Sequence, residues 1–271
     1  MKDAWPWLRE RWQLIAAPAL TIAIIAAAMI WLRPASPGVT GPVLIDNPAG
    51  VVDGVDYHPD IDPADFSTLI DNPYMPLVPG TTLTYEGGNE RVVITVSDST
   101  RSVMGVDALV VRDREYDGER LIEDTEDWFA QDDEGNVWYF GEATAECRDG
   151  TILNRSGEWQ AGVDGAQPGI VMLAAPRVGD YYRQEYYRGH AEDVARVREL
   201  GATVTLQGTT YQNVIVTEDF TALEPGQLEH KAYAPDVGLI QEGPAGASAV
   251  RLVASTREQP VASDPETLCQ A

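Results

Sequence analysis

The chain has 271 residues, 43 acidic against 19 basic, and a formal net charge of −24. A polypeptide this acidic repels nucleic acid and anionic lipid headgroups, so neither is expected as a partner. Its apolar content suffices for one large all-β domain or two small ones.

Residues 1–13 read as a short cytoplasmic stub. The run 14–33 carries no charge until Arg33. At 1.5 Å per residue it is long enough to span a bilayer core. Trp5, Trp7, Trp12 and Trp31 fall near its ends as interfacial aromatics do, and Lys2, Arg9 and Arg11 precede it. The positive-inside rule therefore places the N-terminus in the cytoplasm and everything after Arg33 outside it. The competing reading is a cleaved signal peptide followed by secretion. The apolar run is longer than the ~7–15 residues usual for that class, so the expectation is an uncleaved, single-pass anchor in the cell membrane.

Beyond Arg33 the chain carries 15 basic against 41 acidic residues, a net charge of −26. Residues 34–65 are rich in Pro, Gly and Asp, as in a spacer that lifts a domain off the membrane. Asp53, Asp56, Asp60, Asp62 and Asp65 crowd its end, but their spacing does not match a calcium loop, and a solvated acidic linker is expected. Cys147 and Cys269 are the only cysteines. The compartment permits a disulfide between them, and spacing alone leaves it open.

A proline-stiffened loop at 72–80 precedes a series of short strand patterns. Residues 82–86 and 91–97 alternate, with Val92, Ile94 and Val96 on one face. Residues 108–111 form an apolar strand, and 124–142 an aromatic hairpin around Asp-Asp-Glu-Gly-Asn. Further strands are expected at 151–159, 170–174, 181–187, 203–206, 211–217, 229–233, 238–242 and 249–254. Residues 191–200 carry only a thin apolar stripe and stay open between helix and strand. The polar residues 258–271 read as a disordered tail.

Two stretches, about 76–142 and 176–242, align at offsets of 99 to 104: a leading loop, then strands, an apolar strand and a hairpin. A duplicated β-meander leaves such a trace. The expected fold is therefore all-β within 66–257, a large curved antiparallel sheet or an open, up-and-down barrel from two duplicated meanders, plus one N-terminal transmembrane helix. So many strands cannot stay flat and open.

The stretches FSTLIDNPYMPLVPG (66–80), DWFAQDDEGNVWYFGE (127–142), GEWQAGVDGAQPGIVM (157–172) and GDYYRQEYY (179–187) spread over most of 66–242. On them the chain resembles a family of uncharacterised bacterial exported or membrane-anchored β-rich proteins. The resemblance implies an exported β domain and brings no catalytic residues with it. Cys147 departs from the pattern, which has Tyr at this place.

No serine-elbow, zinc-protease, dithiol or dinucleotide motif occurs, and His58, His190 and His230 stand far apart. No cofactor and no metal are expected. The aromatics are the most concentrated signal, and Trp128, Trp138, Phe140, Trp159, Tyr182 and Tyr186 are the candidate ligand-binding residues. The expected function is non-catalytic binding of a small apolar or amphiphilic ligand, or of an envelope partner, through an aromatic-rich β surface. The alternatives are a purely structural envelope module and a carboxylate-dependent hydrolase of glycan-type substrates. The hydrolase would draw its acid–base pair from Glu123, Asp124, Asp127, Glu142 and Glu185.

Overall fold

The computed structural model describes residues 57–244 and 250–270. The stub, the transmembrane helix expected at 14–33 and linker residues 34–56 lie outside the described residues. Among those described, no helix is long and apolar enough to cross a membrane. The only helices among them are two short 3-10 turns, Pro63–Asp65 and Pro265–Thr267.

Everything else that is regular is strand. The first part of the chain forms β1 (Phe66–Ser67), β2 (Thr81–Gly87), β3 (Glu90–Val103), β4 (Val106–Asp117), β5 (Arg120–Asp132) and β6 (Val137–Arg148). Three short strands follow, β7 (Thr151–Asn154), β8 (Trp159–Gln160) and β9 (Gln167–Met172). The second part forms β10 (Tyr181–Arg183), β11 (Glu185–Tyr186), β12 (Asp193–Leu206), β13 (Thr209–Thr221), β14 (Glu229–Ala234), β15 (Gly238–Pro244) and β16 (Val250–Arg257).

The strands pair into one sheet in the order β10-β12-β13-β14-β15-β16-β2-β3-β4-β5-β6-β9-β11, with β1 on β5 and both β7 and β8 on β6. Its two ends, β10 and β11, are consecutive pieces of a single segment. That segment pairs with β12 through Tyr181–Arg183 and with β9 through Glu185 and Tyr186. The antiparallel sheet is thus nearly closed into a barrel, as expected for a twisted sheet too large to lie open. Closure needs Gly169, where an added Cβ would lie 2.3 Å from the Gln184 carbonyl carbon.

The two halves of the path share local geometry. β3 and β12 each have 14 residues. Each ends in a two-residue turn with positive φ, at Met104 and Gly105 (54° and 85°) and at Gln207 and Gly208 (49° and 85°). Gly80 N–H donates to Val96 O and Gly179 N–H to Val197 O, both at 2.9 Å.

Residues 191–200, open between helix and strand in sequence, lie mostly in β12. Val194, Ala195 and Val197 are buried while Arg198 is exposed. The inward pair Ala195 and Val197 has the period of two that a strand needs.

Residues 258–270 are not a disordered tail but a strap across the outer side of β3 to β6. Glu258 N–H bonds Gly80 O at 2.9 Å, Arg112 bonds the hydroxyl and carbonyl of Thr267, and a disulfide joins Cys269 to Cys147. Residues 57–65, read as the linker's end, also pack on the barrel. Tyr57 is buried, its hydroxyl donating to Pro168 O at 2.9 Å.

Candidate functional site

In an antiparallel ladder, residues directly opposite one another share a face. The register therefore sorts the carboxylates. On the inner face of the first half, Asp113 pairs with Thr125, which pairs with Thr144. Beside them Glu115 pairs with Glu123, and Asp127 with Glu142. In the second half Thr217 pairs with Lys231, which pairs with Glu242, and Asp219 pairs with Glu229. The two sets meet across the barrel: Asp113 and Glu115 feel the charge of Glu242, and Glu185 feels both Lys231 and Asp127.

Asp113, Glu115, Asp127, Glu142, Glu185, Asp219 and Glu242 are buried. Glu90, Glu123, Asp193 and Glu229 are half-buried and stand at or near the starts of their strands, forming a rim at one end. Toward the other end the inner face turns apolar, with Val96, Leu109, Phe129, Val197, Ile215 and Tyr233 buried. Phe129 and Tyr139 stack there at 5.0 Å. The interior thus runs from an acidic rim to an apolar floor.

One cation is built into this acidic interior. Lys231 Nζ lies 3.2 Å from Asp219 Oδ2 and 3.4 Å from Glu242 Oε1. Burial alone would lower its pKa, but Glu242 and Asp219 outweigh that and keep it protonated. Of the described basic residues only Lys231 and Arg183 are buried. Arg183 alternates away from inward Tyr182 and lies 4.5 Å above the Tyr186 ring.

The outer face is organised differently, with its carboxylates paired. Asp124 accepts two 2.8 Å bonds from Arg112 and one from Cys269 N–H, also 2.8 Å. Glu218 lies 2.5 Å from Arg196 and 3.7 Å from Arg198. Inside, by contrast, both oxygens of Glu115, Asp113 Oδ1 and Glu142 Oε2 have no hydrogen-bond partner. Ionising such groups away from water is costly, so they hold their protons. Burial pushes Asp127 up to about 7, the Tyr139 hydroxyl donating to it at 2.7 Å resists, and Glu126 adds a little. Burial and then Glu146 and Asp127 take Glu123 to about 7. Burial followed by the charges of Asp127 and Glu185 raises Glu142 well above the carboxylate range.

The six aromatic candidates are all buried and do not converge on one surface. Trp128 lies on the outer side beneath the Arg101 guanidinium, 4.0 Å from its ring centre. Trp138 and Phe140 both pack edge-on against Phe66, and Trp138 Nε1 donates to Asp132 at 2.7 Å. Tyr186 packs against Tyr57. Only two of the six take part in the inner face: Tyr182, opposite Ala195, and Trp159, opposite Glu142 and edge-on to Tyr139. Of the five carboxylates singled out for a hydrolase, the fold turns Glu123, Asp127, Glu142 and Glu185 inward and leaves Asp124 outside. Asp113, Glu115, Asp219, Lys231 and Glu242 were not identified from sequence. The available signal, for the first two, was acid at period two along β4, at Asp113, Glu115 and Asp117.

No family model matches the chain, and no curated protein matches it. Among solved structures it is similar to an exported-protein candidate with a YmcC-like fold from Bacteroides fragilis NCTC 9343. That likeness has a TM-score of 0.40 and 14% identity over 68% of this chain and 99% of that one. It is also similar to a lipoprotein candidate from Parabacteroides distasonis ATCC 8503, with a TM-score of 0.36 and 9% identity over 68% of this chain and 98% of that one. Neither likeness is close enough to carry a function across.

Proposed function

We propose that this is an extracytoplasmic, non-catalytic binding protein whose barrel interior takes a small cationic amphiphile. The ammonium would sit among the inward carboxylates and the hydrocarbon part against the apolar floor. The observation that carries this reading is the buried set Asp113, Glu115, Asp127 and Glu142, which Lys231 on the far wall does not neutralise. A cation brought in by a ligand offsets the cost of ionising these groups. The location rests on the apolar run at 14–33 and on the Cys147–Cys269 disulfide, which persists in oxidising compartments. The matched turns and the equal lengths of β3 and β12 support an origin by duplication of one meander.

Calorimetric titration of the full chain with n-butylammonium chloride, at about pH 8 where free carboxylates are ionised, tests the reading. Saturable binding is expected, with butan-1-ol giving none; equal behaviour of the two would sink it. A second reading, glycan hydrolysis, draws on Asp127, because a carboxyl group titrating at about 7 suits a general acid. Turnover of a glycan substrate that Asp127→Asn abolishes would favour it instead.

A further inference from the structure

The β5–β6 and β14–β15 hairpins run in the same register. Near the turn each has a rung with an alanine, Ala130 with Trp138, one rung in from Gln131 with Val137, and Ala234 with Gly238. A rung with an aromatic residue follows, Phe129 with Tyr139 and Tyr233 with Leu239, and then a bulge. The next inward rung is Asp127 with Glu142 in the first hairpin and Lys231 with Glu242 in the second. Continuing across the sheet, these rungs reach Val111 and Val96 on one side and Thr217 and Val197 on the other. Val96 and Val197 are the residues that accept the N–H groups of Gly80 and Gly179. Two anchors at opposite edges therefore put Asp127 in the position that Lys231 holds.

In the second half this position supplies an ammonium to Glu242 and Asp219. In the first half it supplies another acid, so one buried carboxyl group faces a second across the strands. Glu142 is 1% exposed and its Oε2 has no hydrogen-bond partner. Glu185, fully buried, adds its charge to Glu142 and itself feels that of Asp127. Like charges directly opposite one another in a sheet are destabilising.

We infer that Asp127 and Glu142 are the docking pair for the ligand's primary ammonium, which completes the first half as Lys231 completes the second. This rests on the binding reading above and assigns it a place. The cation already held in the barrel is an alkylammonium, and the apolar floor begins one rung away at Phe129 and Tyr139. Among the described residues no three His, Cys, Asp or Glu gather as a metal ion's ligands.

The test compares wild type, Asp127→Asn, Asp127→Lys and Glu115→Gln as full chains, titrated with n-butylammonium chloride, with calcium chloride run in parallel. Asp127→Asn keeps the side chain's shape and should weaken butylammonium by about tenfold or more, the loss expected for one buried charged contact. Asp127→Lys builds the second half's ion pair into the first. It should abolish binding and raise the melting temperature at about pH 8 by roughly 2–4 °C. Glu115→Gln, one strand away, should weaken binding less than Asp127→Asn. Binding by wild type that Asp127→Asn leaves unchanged overturns the docking pair while the broader reading stands, and so does selective binding of calcium at this pair. No preference of wild type for butylammonium over butan-1-ol overturns the broader reading itself.

Discussion

Glu115 and Asp124 sit on neighbouring strands, both buried, and differ only in the face they occupy. Asp124 points outward to Arg112, Arg114 and the Cys269 amide, so its charge is paired and hydrogen-bonded. Glu115 points inward, and neither of its oxygens has a partner. Burial and then Glu123 and Asp113 push it well above the carboxylate range. Opposite substitution effects follow. Asp124→Asn strands the Arg112 guanidinium and should cost about 3–5 kcal/mol. Glu115→Gln removes a group that is costly to ionise and should stabilise the ligand-free protein by about 1–4 kcal/mol at about pH 8. At acid pH, where Glu115 is protonated in folded and unfolded chains alike, the gain should vanish. Urea denaturation at the two pH values measures both changes, and equal destabilisation by the two variants would contradict the face assignment.

Elements differ in how far sequence alone reveals them. The strand at 91–97 was legible because Val92, Ile94 and Val96 recur at the period of two a strand needs, and β3 indeed covers it. The strap was not legible. Residues 258–270 are polar because they lie over Arg112, Asp124 and Glu126, and a polar strap over a charged strand face has the composition of a disordered tail. The acid interior was illegible for a related reason: a carboxylate in a strand reads the same whether it faces water or a barrel axis. Only long-range pairing decides, and here closure through residues 181–186 depends on one close approach at Gly169. The strap makes its own prediction. Its disulfide links residues 122 apart in sequence, and restraining so long a loop in the unfolded chain contributes about 4–5 kcal/mol on the chain-entropy account. Cys147→Ser should lower stability by about 2–5 kcal/mol and expose Asp124. Hydrogen exchange should then rise at the Cys269 amide; unaltered protection there would show that the strap docks without its covalent tie.

For the whole molecule, the two faces of one sheet set a pH dependence. Glu123 and Asp127, and Asp193 chiefly through burial, titrate at about 7 in the folded protein, against about 4 in an unfolded chain. A group with a raised folded pKa contributes its full share below the unfolded value, and that share is lost as pH climbs through the folded one. From about pH 4 to about pH 7 the unfolded chain has released protons that the barrel still holds, so stability should fall across this window, and Glu115 and Glu142, raised further, carry the fall on above it. The ligand-free protein should therefore melt higher at about pH 5 than at about pH 8, the reverse of a protein whose carboxylates are all salt-bridged. A bound ammonium inverts the sign for the groups it touches, since it favours their ionised form and draws their folded pKa values down. Saturating n-butylammonium should then flatten the fall between about pH 5 and about pH 8 and release protons as it binds. Calorimetry in two buffers of different ionisation enthalpy reads that release directly. Binding without proton release would mean that the ammonium docks away from the buried carboxyl groups.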